Sequence, residues 1–235
     1  MHNEVPKLSI IIPCYNEEKT IAKIIEKIII SSPYNNEIIV IDDCSTDKSS
    51  EILKTTLKNK FSKLIINDRN QGKGYSVRRG IEASTGDIIL IQDADLEYDP
   101  SDYSKLVEPI IKKYADVVYG SRFIGAQEKR MLYYWHSLGN KILTALSNIF
   151  SNLNLSDMET CYKVFKSDVI KNIKLKENRF GFEPEITAKI AKLNLRIFEV
   201  GVKYYGRKYA DGKKITWKDG VAAIKCILYY NLFNN

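Results

Sequence analysis

Apolar and polar positions alternate along the first half of the chain at a regular pace. "KLSIIIP" is a short β-branched run ending at Pro13, which predicts a buried strand. "NEEKTIAKIIEKII" spaces Ile21, Ile24, Ile25 and Ile28 along one helical face, with acids expected in its first turn. "EIIVIDD" predicts a second strand, and "STDKSSEILKTTLK" a second helix capped by Ser45 or Thr46. The same reading gives strands "KLIIND", "DIILIQD" and "ADVVYGS", separated by helices "GYSVRRGIEAS" and "PSDYSKLVEPIIKKY". Strand and helix alternating at this pace predict an α/β fold, a parallel sheet with helices on both faces.

The second half changes character. Met131 to Leu153 carries an apolar stripe (Leu132, Trp135, Leu138, Ile142, Leu146, Ile149, Leu153) opposite a polar one (Ser137, Lys141, Thr144, Asn148, Ser151). This predicts one long amphipathic helix or a broken pair. "TCYKVF" and "LRIFEVGVKYY" read as strands, "PEITAKIAKL" as a helix, and "WKDGVAAIKCILYYNLF" as a further amphipathic helix. With no repeat, low-complexity tract or linker, residues 1–235 are expected to form a single domain.

In open α/β sheets, ligands bind at the carboxyl ends of the strands. Here those ends carry "PCYNEE", "DDCSTD", "NDRNQGKG", "DADLE" and "GSRF", so the polar clusters gather at one edge. The acids of "IQDADLEYDP" repel one another and call for a cation. Asp93 and Asp95 are hard oxygen ligands suited to a divalent ion, which would neutralise a departing diphosphate. The competing reading is an acidic loop that caps the next helix, a role open to Asp99 or Ser101. Asp42 and Asp43 can accept hydrogen bonds from a base or ribose, while Asp47 serves equally well as a helix cap. Lys73 stands between Gly72 and Gly74, where it could meet a phosphate or a base carbonyl; the spacing is not that of a Walker loop. Arg122, Arg207, Lys208, Lys213 and Lys214 are further cations, either functional or part of solvated loops.

Composition narrows the partners. The 235 residues are 44% hydrophobic and carry a net charge of +7, with a pI of about 9.0. A basic chain of this kind suits a nucleotide, a phospholipid surface or a nucleic acid. Cys14, Cys44, Cys161 and Cys226 form no CxxC pair and read as reduced thiols of a cytosolic protein; His2 and His136 add little toward a zinc site. No leader pattern is expected at the start, and no stretch reaches the roughly 20 uninterrupted apolar residues of a membrane span.

Taken together, "IPCYNEEKTI", "IDDCSTDKS", "NQGKGYSVRRGIEASTGDIILIQDADLEYDP", "GSRF", "DMETCYKVF", "FGFEPEI" and "YYGRKYADGKKI" resemble the family 2 glycosyltransferases of GT-A fold. Similarity is greatest to the branch of dolichyl- and polyprenyl-phosphate sugar synthases. The resemblance implies a nucleotide-sugar-binding half over residues 1–125 and an acceptor-binding, membrane-proximal half over 126–235. It implies that Pro13, Tyr15, Asn16, Glu17, Asp42, Asp43, Lys73, Asp93 and Arg122 hold the nucleotide sugar. Asp93, Asp95 and Glu97 would hold Mg²⁺ or Mn²⁺, with Glu97 standing where mannosyl members usually carry Gln. Arg207 would face the diphosphate or the lipid phosphate, and Asp95 and Arg207 would act in catalysis. Glu183 and Glu185 would serve as a base if the acceptor were a hydroxyl; helix capping is their alternative.

The expected activity is metal-dependent, inverting transfer from a nucleotide sugar to a polyprenyl-phosphate carrier. A UDP-sugar is favoured and GDP-mannose is the alternative. The enzyme would sit on the cytoplasmic side of the cell membrane, in peripheral contact with anionic lipid and without nucleic acid as a partner; a homo-oligomer is compatible with this. Two rivals are transfer to a hydroxyl of a lipid or polysaccharide, and a catalytically idle nucleotide-sugar-binding or scaffold protein. A receiver-like phosphorylation domain fails on order, since "IDD" follows the second strand.

Overall fold

The computed structural model describes residues 6–125, 130–131, 133–207 and 217–233. Seven strands form one sheet: β1 (Lys7–Cys14), β2 (Asn35–Asp42), β3 (Lys63–Ile66), β4 (Ile88–Ile91), β5 (Val117–Ser121), β6 (Lys163–Lys166) and β7 (Ile197–Gly201). Their spatial order is β3-β2-β1-β4-β6-β5-β7. Every pairing is parallel except those of β6, which runs antiparallel to both β4 and β5. The expected α/β class and mostly parallel sheet are therefore present. Successive residues Ile10, Ile11 and Ile12 of β1 are all fully buried, so both faces of the sheet are covered.

The helices are α1 (Ile21–Ser31), α2 (Ser49–Lys54), α3 (Lys73–Ala83), α4 (Tyr103–Ile111), α5 (Tyr134–Ser151), α6 (Ser167–Lys171), α7 (Phe182–Ala191) and α8 (Trp217–Leu232). Two starts differ from expectation. Helix α1 begins at Ile21, leaving Glu17 and Glu18 outside its first turn. Helix α2 begins only at Ser49, so Ser45 and Thr46 cap nothing. Ser45 Oγ instead accepts the Asn16 N–H at 3.0 Å, and Thr46 Oγ1 accepts from Asn16 Nδ2 at 3.2 Å. Asp47 Oδ1 takes the Ser49 N–H at 2.9 Å, so the acid does the capping. Asp99 likewise accepts the Ser101 N–H at 3.0 Å, ahead of α4.

Helix α5 is continuous, with part of its polar stripe turned inward and part of its apolar stripe turned outward. Asn140, Thr144 and Ser147 are buried, while Trp135, Ile142 and Ile149 are 77%, 55% and 74% exposed. The inward polar groups hold the following loop: Thr144 Oγ1 accepts the Met158 N–H at 3.1 Å, and Asn148 brackets Leu155 with two hydrogen bonds. Helix α8 packs against α5 and α7 and exposes Val221, Ile224, Tyr229, Leu232 and Phe233. Among the described residues, no helix is long and apolar enough to cross a membrane.

At the amino edge of the sheet, a buried carboxylate locks three segments. Glu37 accepts from Ser9 Oγ at 2.6 Å, and from the N–H and hydroxyl of Thr85 at 2.7 Å each. Burial works to raise its pKa, but the bonds from Ser9 and Thr85, with Lys7 nearby, outweigh it and hold the group at about 2, below its ordinary 4.5. A depressed folded pKa contributes stability that is complete above the unfolded value and is lost as pH falls toward the folded one. Urea denaturation between pH 6 and 2.5 should therefore show stability falling with acid in the wild type and a shallower fall in Glu37→Gln. Identical slopes would contradict this role.

Candidate functional site

A cavity of about 840 Å³ opens at the carboxyl edge of the parallel strands, where the sequence places its polar clusters. Pro13 enters it from the end of β1, Tyr15 and Glu17 after β1, Asp43 after β2, Lys73 at the start of α3, and Asp93, Asp95 and Glu97 after β4. Arg122, Glu183 and Arg207 complete the expected set within it. Helix α5 closes another side with His136, Asn140 and Leu143.

Two residues of the expected nucleoside group stand behind the wall rather than in it. Asn16 has a left-handed backbone, φ 51°, and its side-chain oxygen accepts the Thr46 N–H at 2.8 Å. Asp42 is buried and takes the Ser45 N–H at 3.1 Å. Both shape the turn that presents Asp43. Asp43 in turn accepts from Asn67 Nδ2, Gln71 N–H and Gly72 N–H at 2.6, 2.9 and 2.7 Å, so the loops after β2 and β3 are cross-linked beneath the cavity. The glycines of "QGKG" answer a packing demand. Gly72 has φ 102°, and a Cβ on Gly72 or Gly74 would collide with the Asn178 or Glu177 carbonyl of the segment before α7.

The acids are divided between two cations. Lys73 Nζ lies 2.9 Å from Asp93 and 3.0 Å from Glu183. Burial opposes its charge, but Asp93 and then Glu183 hold the ammonium above its ordinary pKa. Arg207 lies 2.7 Å from Asp95, 3.1 Å from Glu17 and 3.5 Å from Glu97. Glu97 also accepts the Arg207 N–H at 2.7 Å and the Tyr204 hydroxyl at 2.9 Å. Even so, burial, reinforced by Asp93 and Glu97, pushes Asp95 up to about 7. Among the described residues, no three carboxylate, imidazole or thiolate groups converge as a metal site. The donor set nevertheless suits a divalent ion. Its ligands are hard oxygens, and Asp95 and Glu97 share the single guanidinium of Arg207 with Glu17. Asp93, Asp95 and Glu97 could hold such an ion if Arg207 released Asp95.

Other expected residues are committed elsewhere. Arg122 is tied to Asp157 by two charge-assisted bonds of 2.7 and 2.6 Å, and its guanidinium lies over the Tyr204 ring. It lines the cavity as part of a closed pair rather than as a cation awaiting a diphosphate. Glu185 is fully buried, absent from the cavity wall, and accepts the Lys176 and Glu177 N–H groups at 2.7 Å each beside Lys189. It caps no helix but ties the loop before α7 to the helix; a base would need to face the cavity. Lys208, Lys213 and Lys214 lie outside the described residues. The sequence reading missed Glu159. It lines the cavity, with its Oε1 buried and meeting no hydrogen-bond partner. Burial first, and Glu183 next, push its carboxyl up to about 7 against Lys163 and Arg122. A lone glutamate inside "DMET" carries no signal that would single it out.

Residues 9–174 match the model of glycosyl transferase family 2. The undecaprenyl-phosphate 4-deoxy-4-formamido-L-arabinose transferase of Edwardsiella ictaluri is 26% identical over 211 residues, covering 88% of this chain and 62% of that protein. The dolichol-phosphate mannosyltransferase of Pyrococcus furiosus is 27% identical over 216 residues, covering 89% and 60%. The chain thus spans about three fifths of the length of these relatives. Among solved structures, glucosyl-3-phosphoglycerate synthase of Mycobacterium tuberculosis with Mn²⁺ and UDP-glucose superposes with a TM-score of 0.76 at 17% identity, covering 96% of this chain and 79% of that one. That likeness establishes a shared fold.

The two glutamates of "FEPE" should separate by stability. Glu185→Ala leaves Lys189 and two backbone N–H groups without their partner and should cost about 3 kcal/mol in urea denaturation. Glu183→Gln, at the cavity wall, should cost less than half as much. Equal losses would contradict the division of roles.

Proposed function

We propose the following activity for this chain, which belongs to glycosyl transferase family 2: transfer of a hexosyl group from a nucleotide sugar to a polyprenyl phosphate, with inversion at the anomeric carbon and dependence on Mg²⁺ or Mn²⁺. The observation that carries the reading is the acidic set Asp93, Asp95 and Glu97 at the carboxyl edge of the sheet, with Lys73 on Asp93 and Arg207 on Asp95 and Glu97. The nucleoside would lie along Pro13, Tyr15 and Asp43, where the loops after β1 and β2 meet the cavity. UDP is the favoured nucleotide, a choice supported by the fold relative that holds UDP-glucose. The divalent ion, held by Asp93 and Asp95 with Glu97 in reach, would neutralise the developing diphosphate.

The chain's own residues would do the rest. Arg207, exchanging Asp95 for phosphate oxygens, presents a planar fork of donors to the leaving diphosphate. An acceptor phosphate oxygen forms the new bond to the anomeric carbon, on the face opposite the breaking C–O bond, whose electron pair leaves with the diphosphate. A lipid phosphate is already anionic near neutral pH and needs no base. This agrees with Glu183 being ion-paired to Lys73 and Glu185 facing away from the cavity. Transfer to a hydroxyl, which needs a base, is the weaker reading for the same reason.

The acceptor's lipid tail calls for a membrane, and the outward faces of α5 and α8 offer a surface for it. Trp135, Ile142, Ile149, Tyr229 and Phe233 are exposed, with Arg130 and Lys141 exposed near them. An apolar face with aromatic and basic flanks suits the interfacial plane of an anionic membrane.

Two measurements test this. Transfer from UDP-glucose to undecaprenyl phosphate should fall about a thousandfold, worth about 4 kcal/mol of barrier, on chelation by EDTA or in Asp95→Ala; a loss within about tenfold would contradict the metal role. The protein should also float with phosphatidylglycerol vesicles at low salt. The triple variant Trp135→Ser/Ile142→Ser/Ile149→Ser should not float, yet should melt near the wild-type temperature because these positions are exposed. Flotation that survives the triple change would contradict the proposed surface.

A further inference from the structure

The turn 156–161 is held from every side, and none of its anchoring bonds uses the side chain of Glu159. Asp157 takes both arms of Arg122. Met158 N–H donates to Thr144 of α5. Lys163, fully buried, donates its ammonium to the Met158 carbonyl at 3.1 Å and to that of Thr160, clamping the residues on either side of Glu159. Cys161 N–H donates to the Tyr98 hydroxyl at 3.2 Å. A rigid turn thus puts one carboxylate on the cavity wall and leaves its buried Oε1 without a donor. A buried acceptor left unmatched is costly, and such groups are kept where a ligand supplies the partner.

We propose that Glu159 is a specificity-determining residue that accepts hydrogen bonds from hydroxyl groups of the transferred sugar, selecting a neutral hexose over a hexuronate. The inference rests on the transferase reading above and names the sugar class for that same site. Three observations place it. Lys73 joins Asp93, in the acidic set proposed for the diphosphate and its metal, to Glu183, and Glu183 and Glu159 line the same cavity. The sugar is attached to the diphosphate, so Glu159 belongs to the next zone of the cavity. Two cations of the cavity wall are already matched, Lys73 by two carboxylates and Arg122 by Asp157, and the buried Lys163 donates to two carbonyls. A second anion arriving here would meet the carboxylates of Glu159 and Glu183, whereas hydroxyl groups donate to carboxylates readily.

The test uses the full chain with MnCl₂ and calorimetric titration of UDP, UDP-glucose and UDP-glucuronate, repeated with GDP and GDP-mannose. Wild type should bind the neutral sugar nucleotide about tenfold or more tighter than the bare diphosphate, as expected for a hydrogen bond to a charged group. Glu159→Ala should lose that increment while binding the bare diphosphate within about twofold of wild type. Glu159→Gln, which keeps an acceptor oxygen and removes the charge, should retain part of the increment and bind UDP-glucuronate about tenfold tighter than wild type does. Melting temperatures near wild type for both variants would show the turn intact. An increment unchanged in Glu159→Ala overturns the proposal. So does unchanged donor binding with abolished transfer, which would make Glu159 a base for a hydroxyl acceptor. If neither UDP nor GDP binds wild type, the transferase reading falls first; if transfer proceeds and only the Glu159 variants fail to discriminate, the sugar assignment alone falls.

Discussion

Glu17, Asp95 and Glu97 converge on a single guanidinium, and much of the site follows from that imbalance. Arg207 reaches them from the segment after β7, which is itself laid against the acidic loop. Tyr98 bridges to Tyr204, Tyr205 N–H donates to the Glu97 carbonyl at 2.8 Å, and the Arg207 N–H meets the Glu97 carboxylate. Segments far apart in the chain are thereby joined at the cavity mouth. Three carboxylates around one cation are a poor source of stability, because taking charges out of water is expensive and pairing offsets only part of it. Such a cluster fits a site that exchanges counter-ions: Arg207 holds the acids together, and a divalent ion with a diphosphate could take over part of that task.

The topology explains why residues so distant in sequence meet. The parallel strands deliver their following loops to one edge. Strand β6 runs the other way between β4 and β5, so it delivers its preceding loop to that same edge. This single reversal brings the turn 156–161, with Glu159 and Asp157, opposite the acidic loop after β4. It also requires Arg122, after β5, to close on Asp157 rather than stand as an isolated cation.

The parallel frame and the clustered edge were legible in the sequence because β-branched runs and polar loops alternate at a fixed pace. The acids of "DADLE" were legible as a set in need of positive charge; that Arg207 and Lys73 supply it was not, because ion pairs between distant segments leave no local trace. The distinction between Glu183 and Glu185 was hidden for a different reason. Two residues apart on a helix, they face different sides, and only the packing of α7 decides which one meets the cavity. Ser45 and Thr46 have the chemistry of caps, but Asn16 from the neighbouring loop captures both. The stripes of α5 were clear from their spacing. The inward placing of Thr144 and Asn148 was not, because it serves the backbone groups of residues 155–158 that need partners there.

The central claim is that the acidic set now neutralised by Arg207 and Lys73 is the place where a divalent ion and a nucleoside diphosphate bind together. Calorimetric titration of Mn²⁺ in the absence and presence of saturating UDP measures this directly. Because linkage between two ligands is reciprocal, the account predicts weak Mn²⁺ binding alone, about tenfold or more tighter binding with UDP, and loss of that coupling in Asp95→Asn. Mn²⁺ affinity indifferent to UDP, or coupling undiminished in Asp95→Asn, would contradict it.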